Sequence, residues 1–128
     1  MWPFARRKRA SLGPRGEAIA RRHLKRRGMK ILAKNYRCPV GEADLIALDR
    51  SGEYGETLAF VEVKTRRSDR YTEPRSAVDG DKQRRLRKIA DYYLNTHDTD
   101  GLAVRFDIVS VVMADGEKPR VDYIPDAF

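Results

Sequence analysis

Residues Thr57–Thr65 (TLAFVEVKT) decide how this chain is read. Their β-branched and aromatic content is that of a strand. Alternation along that strand puts Leu58, Phe60, Glu62 and Lys64 on one face and Ala59, Val61 and Val63 on the other. A carboxylate and an ammonium therefore emerge, roughly 7 Å apart, from the most apolar strand in the sequence. Charges so placed must be paired, hydrated or bound to an ion, because desolvating an isolated charge costs several kcal/mol.

Upstream, Glu42–Asp49 (EADLIALD) is short, nearly all apolar and bounded by turn residues, which predicts a strand covered on both faces. It carries the same anomaly, since Asp44 shares a face with Ile46 and Leu48, with Glu42 ahead of it at the strand's mouth. The two-glycine loop SGEYGE (residues 51–56) joins the two strands as a hairpin. Further back, Met29–Tyr36 reads as a short strand and Pro14–Arg27 as a helix stopped by Gly28, with Glu17, Ala20 and Leu24 on one stripe.

Downstream, Asp81–Asn95 is an amphipathic helix whose inward stripe is Leu86, Ile89, Ala90, Tyr93 and Leu94, capped by Asp79 or Asp81. Val104–Met113 predicts another buried strand and Arg120–Ile124 an edge strand. The order α-β-β-β-α-β-β, joined partly by hairpins and partly by a helical crossover, predicts an α/β fold. Its centre is a mixed sheet of four to five strands flanked by helices. At 128 residues the chain is one domain, read as a basic arm over 1–13 and a single domain over 14–128.

Charge is distributed unevenly. Residues 1–30 hold eleven Lys or Arg and one acid, Glu17, for a net +10, while the remainder sums to −2 against a total of +8. A second basic block, Lys82–Lys88 (KQRRLRK), has five cations in seven residues, with Arg66, Arg67, Arg70 and Arg75 between the two. Clustered cations attract a polyanion by counterion release, and nucleic acid is the partner this predicts, DNA ahead of RNA. Solvated helix faces are the plainer account of such runs. No apolar run approaches the ~18 residues of a membrane helix. The lone Cys38 and the two histidines, His23 and His97, match no zinc spacing, and an intracellular, cytoplasmic setting is expected.

Glu17, Asp44 and Glu62 thus come from three elements with their carboxylates directed inward. In a basic protein they repel unless a cation sits among them, and hard oxygen donors without Cys or His select Mg²⁺ or Mn²⁺. Lys64 would then orient water and stabilise charge developing on a phosphate oxygen. The structural alternatives are an ion pair between Glu62 and Lys64 at a sheet edge, a turn capped by Asp44, and neutralisation of a nearby Arg by Glu17. Lys82 lies on or near the inward stripe of its helix, within reach of a phosphate, although such lysines more often snorkel to the surface. Asp107 interrupts a buried strand opposite Phe106 and Ile108, and pairing with an Arg accounts for it.

Several motifs together resemble the YraN-like family of small bacterial proteins. They are Gly16-Glu17, Gly41-Glu42-Ala43-Asp44-Leu45-Ile46, Phe60-Val61-Glu62-Val63-Lys64-Thr65-Arg66, Ala77-Val78 leading to Lys82-Gln83-Arg84-Arg85-Leu86, Arg105–Val109, and Asp126-Ala127-Phe128. That family is similar to archaeal Holliday-junction resolvases of the restriction-endonuclease-like superfamily. The resemblance implies a restriction-endonuclease-like fold and divalent-metal hydrolysis of phosphodiesters. It assigns Asp44 and Glu62 as metal ligands, Lys64 as the catalytic lysine and Glu17 as an additional acid. It leaves Glu42 as a supporting acid, a salt-bridge partner or an alternative ligand.

The expected activity is an endonuclease acting on branched or structured DNA. Arg66, Arg67, Lys82, Arg84, Arg85 and Arg87 are expected to track the phosphate backbone, and a homodimer is compatible with symmetric cutting. The competing expectation is a nucleic-acid-binding protein of the same fold, serving a recombination or repair assembly without cleaving. A third is an RNA-associated protein whose carboxylates are structural.

Overall fold

The computed structural model describes the backbone of residues 2–67 and 78–128, and side chains over 13–67 and 78–128. The cationic side chains of the expected arm, together with Arg70, Arg75, Ala77 and Tyr71, the last a loop aromatic that the sequence offers for stacking on a base, lie outside the residues so described.

Elements follow the expected order: α1 (Trp2–Arg26), β1 (Lys30–Cys38), β2 (Gly41–Asp49), β3 (Thr57–Arg66), α2 (Gly80–Thr96), β4 (Ala103–Val112) and β5 (Arg120–Ile124). The first helix begins well before Pro14, which lies inside it. Asp79 caps α2, its carboxylate accepting from Lys82 N at 3.0 Å. The strands form one five-stranded sheet in the order β1-β2-β3-β4-β5, antiparallel except for the parallel β3–β4 pair that α2 connects. The charged strand β3 is therefore central, so its Glu62 and Lys64 are not an edge pair.

A helix covers each face. Ala20 and Leu24 of α1 pack on Leu45, Ala47, Ala59, Val61, Val109 and Val111. Leu86, Ile89, Ala90 and Tyr93 of α2 pack on Ile46, Leu58, Phe60 and Phe106. Burying two such layers supplies most of the driving force for this fold. Alternation on β3 then decides the layer of each charge: Glu62 and Lys64, in phase with Leu58 and Phe60, face α2.

Asp107 is fully buried in the other layer. It receives Arg105 Nε and Nη2 at 2.9 and 3.0 Å, Tyr123 OH at 2.5 Å and Asp126 N at 2.9 Å. Arg105 also pairs with Asp49 at 2.9 Å. These partners answer all of its lone pairs, which is what a buried charge requires. The pairing expected for Asp107 is thus present, and it ties β2, β4, β5 and the last residues of the sequence together. Phe128 stacks on Phe106 with ring centroids 5.5 Å apart, and Ala127 N donates to Phe106 O.

Candidate active site

The site lies where one seam of the sheet opens. Between β2 and β3 the pairing runs from Asp49↔Thr57 to Leu45↔Val61 and stops. Each strand continues with its outer neighbour, β2 to Cys38↔Gly41 and β3 to Arg66↔Val112. Just past the last rung, Asp44 Oδ2 accepts the Val63 N–H at 2.8 Å. A side chain has taken the donor that a backbone carbonyl would use in a continuous ladder. Asp44 and Glu62 face each other across the opening.

Burial, and the Glu62 carboxylate facing it, push Asp44 up to about 7. Glu62 is itself only 12% exposed at the side chain, and its Oε1 is shared by two ammoniums: Lys64 Nζ at 3.3 Å and Lys82 Nζ at 3.0 Å. Burial and the adjacent Lys82 lower the pKa of Lys64. Burial also opposes charge on Lys82, but its contacts with Lys64 and Glu62 outweigh that and raise its pKa.

Glu17 arrives from α1. A Cβ on Gly16 would collide with the Thr65 side chain, so glycine there allows the helix to rest directly on the end of β3. Burial raises the pKa of Glu17, with the negative charges of Glu42 and Glu62 adding to the effect. With its amide nitrogen turned toward the carboxylate, Asn35 donates to both Glu17 oxygens at 3.3 Å. Asn35 sits inside β1 at φ 50°, between the pairs Lys34↔Leu45 and Tyr36↔Ala43, and so beside Asp44 in the register. A left-handed residue within a strand is uncommon, and asparagine tolerates it better than most.

Glu42 is exposed and pairs with Arg37 at 3.6 Å, while also lining the cavity. That cavity, of about 230 Å³, has Glu42, Asp44 and Glu62 on its sheet side and Lys82, Arg85, Leu86 and Ile89 on its α2 side. Gly41, at φ 154°, lets α2 close on the β1–β2 hairpin, since a Cβ there would stand 3.2 Å from Arg85 Cδ. A larger hollow of about 530 Å³, around Arg27, Asp49, Arg105 and Tyr123, lies by the Asp107 network and contains none of the expected site residues.

The structure thus brings Asp44, Glu62, Lys64 and Lys82 together, with Glu17 and Glu42 at the margin. Arg85 lines the same cavity, and Arg84 beside it is paired with Asp81. Arg66 ends β3, and Arg67, next along the chain, pairs with Asp115 at 3.1 Å. Arg87 stands apart, its guanidinium 4.8 Å from the Phe106 ring centre and 5.9 Å from that of Phe128. His97 stacks on Tyr93 at 3.9 Å rather than approaching the acids.

Sequence reasoning gave Lys82 two fates, a phosphate contact or the surface, and in the structure its side chain is 37% exposed and reaches Glu62 from α2 at 3.0 Å. It missed Asn35 altogether, where the available signal was an asparagine interrupting a strand pattern. Among the described residues, no three His, Cys, Asp or Glu side chains are grouped closely enough to hold a metal ion unaided. Two carboxylates fit an ion such as Mg²⁺, which keeps several waters and takes one or two protein carboxylates.

Comparison with known proteins adds kinship. Residues 16–111 match the model of Uncharacterised protein family UPF0102. The UPF0102 protein of Syntrophus aciditrophicus (strain SB) is 47% identical over 116 residues, covering 91% of this chain and 87% of the relative. That of Nocardia farcinica (strain IFM 10152) is 43% identical over 118 residues, covering 92% and 89%. That of Geobacter metallireducens is 42% identical over 118 residues, covering 92% of each.

Proposed function

The chain belongs to Uncharacterised protein family UPF0102, and from that premise we propose that it is a divalent-metal-dependent endonuclease hydrolysing DNA phosphodiesters, on branched or structured DNA. The observation that carries this reading is the convergence of Asp44, Glu62 and Lys64 at the open end of the β2–β3 seam. Like charges crowded in a half-buried site cost stability, and a cation requirement gives that cost a purpose.

Asp44 and Glu62 would hold Mg²⁺ or Mn²⁺, which when bound supplies a Lewis acid for the phosphoryl oxygen and neutralises the carboxylates. Asp44 is fixed for this by the Val63 N–H, which orients one oxygen and leaves the other available. Lys64, two residues along from Glu62, is placed to donate to a phosphate oxygen as negative charge builds there. Glu17, held by Asn35, adds an acid from the α1 side. Arg85, Arg84, Arg66 and Arg67 would contact backbone phosphates and position the duplex without reading bases. Symmetric cutting of a branched substrate needs two copies of the site, which makes a homodimer part of this reading.

The competing reading, a nucleic-acid-binding protein that does not cleave, draws support from the two lysines already neutralising Glu62. Incubation of the purified protein with duplex, single-stranded and four-way-junction DNA in Mn²⁺, Mg²⁺ or EDTA separates the two. The endonuclease cuts at least one substrate in Mn²⁺ or Mg²⁺, and Glu62→Ala and Lys64→Ala abolish cutting. Binding without cutting in every metal favours the second reading.

A further inference from the structure

In the nuclease reading Glu62 is a ligand, yet both ammoniums of the site bear on its one oxygen, Oε1. The two lysines differ in how they arrive. Lys64 shares a strand with Glu62 and is fixed beside it. Lys82 comes across the cavity from the first turn of α2, where its own N–H is bound by Asp79 and Gln83 Nε2 donates to Val78 O at 3.0 Å. Its backbone is pinned while its side chain is 37% exposed, against 12% for the carboxylate it holds. The ammonium can leave; Glu62 cannot.

The cavity has opposed walls, with Asp44 and Glu62 on the sheet and Lys82 and Arg85 one helical turn apart on α2. A phosphodiester entering between them would find cations on its helix side. A divalent ion entering the sheet side would compete with Lys82 for the negative charge of the Glu62 carboxylate.

We propose that Lys82 is a displaceable counter-cation: it holds Glu62 while no divalent ion is bound, and passes to a backbone phosphate beside Arg85 when Asp44 and Glu62 take the ion. The proposal rests on the nuclease reading. It makes lysine and metal competitors for one carboxylate when no nucleic acid is present. When nucleic acid is present the released ammonium has a new partner, so metal and nucleic acid strengthen each other's binding by equal factors.

Mn²⁺ titration calorimetry on the full chain, comparing wild type with Lys82→Met, Lys82→Gln and Lys82→Arg, tests this without reading activity. The two neutral variants are expected to bind Mn²⁺ about fivefold to tenfold more tightly, the gain from removing a half-buried competing pair. The same two variants should bind a phosphorothioate-linked four-way junction more weakly in the presence of Mn²⁺, with the salt slope reduced by about one. Lys82→Arg should stay near wild type in both measurements. A merely structural lysine would not move metal and DNA affinity in opposite directions. Mn²⁺ affinity that is unchanged or weaker in Lys82→Met and Lys82→Gln overturns the counter-cation role and leaves the nuclease reading to its cleavage assay. Mn²⁺ bound by none of the four proteins overturns both.

Discussion

Asp44 takes the Val63 N–H through its carboxylate at 2.8 Å, at the rung where β2 and β3 part. One bond thereby does two things. It answers a backbone donor that the opened ladder would leave bare, and it fixes a carboxylate opposite Glu62. Stability and site geometry are coupled at that point, and the predictions begin there.

Asp44 titrates near 7 in the fold against an ordinary value of 3.8. The folded chain therefore holds a proton that the unfolded chain has released, so this group costs stability progressively as pH climbs from about 4 to about 7. Asp44→Asn keeps an acceptor for Val63 and removes the charge. Its urea unfolding free energy should exceed wild type by about 1–3 kcal/mol at pH 8 and match it near pH 4. Added Mg²⁺ should raise the melting temperature of wild type and leave that of the variant unchanged.

Glu62→Gln removes the negative charge that Lys64 and Lys82 share. The two ammoniums then face each other without a counter-charge, and a loss of about 1–2 kcal/mol is expected at pH 7. The deficit relative to wild type should shrink between pH 7 and pH 10, since burial and the adjacent Lys82 already favour the neutral form of Lys64. Chemical denaturation at the two pH values measures it.

Asp107→Ala should be the most damaging single change among these, at about 3–5 kcal/mol, because it takes one of the two carboxylates that answer Arg105, leaves Asp126 N without its acceptor and leaves Tyr123 OH only Met29 Sδ. Tyr123→Phe keeps the ring and loses the hydroxyl's bonds to Asp107, Arg105 and Met29, for about 1–2 kcal/mol. Both follow from thermal or urea melts, and neither should alter Mn²⁺ affinity, since this network contains none of the residues around Asp44 and Glu62.

Gly16→Ala drives a methyl into Thr65 and should cost about 1–3 kcal/mol by forcing α1 off the end of β3. Thr65→Ala in the same chain should restore part of that loss, which a double-mutant cycle of melting free energies reads directly. Failure of the second change to recover anything would show that the Thr65 contact is not the source of the cost, since alanine in place of glycine otherwise favours a helix.

The sequence by itself determined the elements and their order, because periodicity of 2 and of 3.6 is local and survives in one dimension. It determined that Glu62 and Lys64 share a face, since a regular strand alternates, and that Asp107 needed an arginine, since a buried carboxylate must be answered. The inward stripe of α2 was equally plain from its spacing.

Only the tertiary structure decided that the β2–β3 seam opens at Leu45↔Val61, because register and its end are set by pairing between segments. It also decided that Asn35 reaches Glu17 from β1 and that Lys82 rather than Arg87 turns into the site. The last choice is a rotation of five residues along one helix. Pattern reading sees both as cations on a basic face, and only the packing of α2 against Gly41 and Phe106 sends one to a carboxylate and the other to aromatic rings.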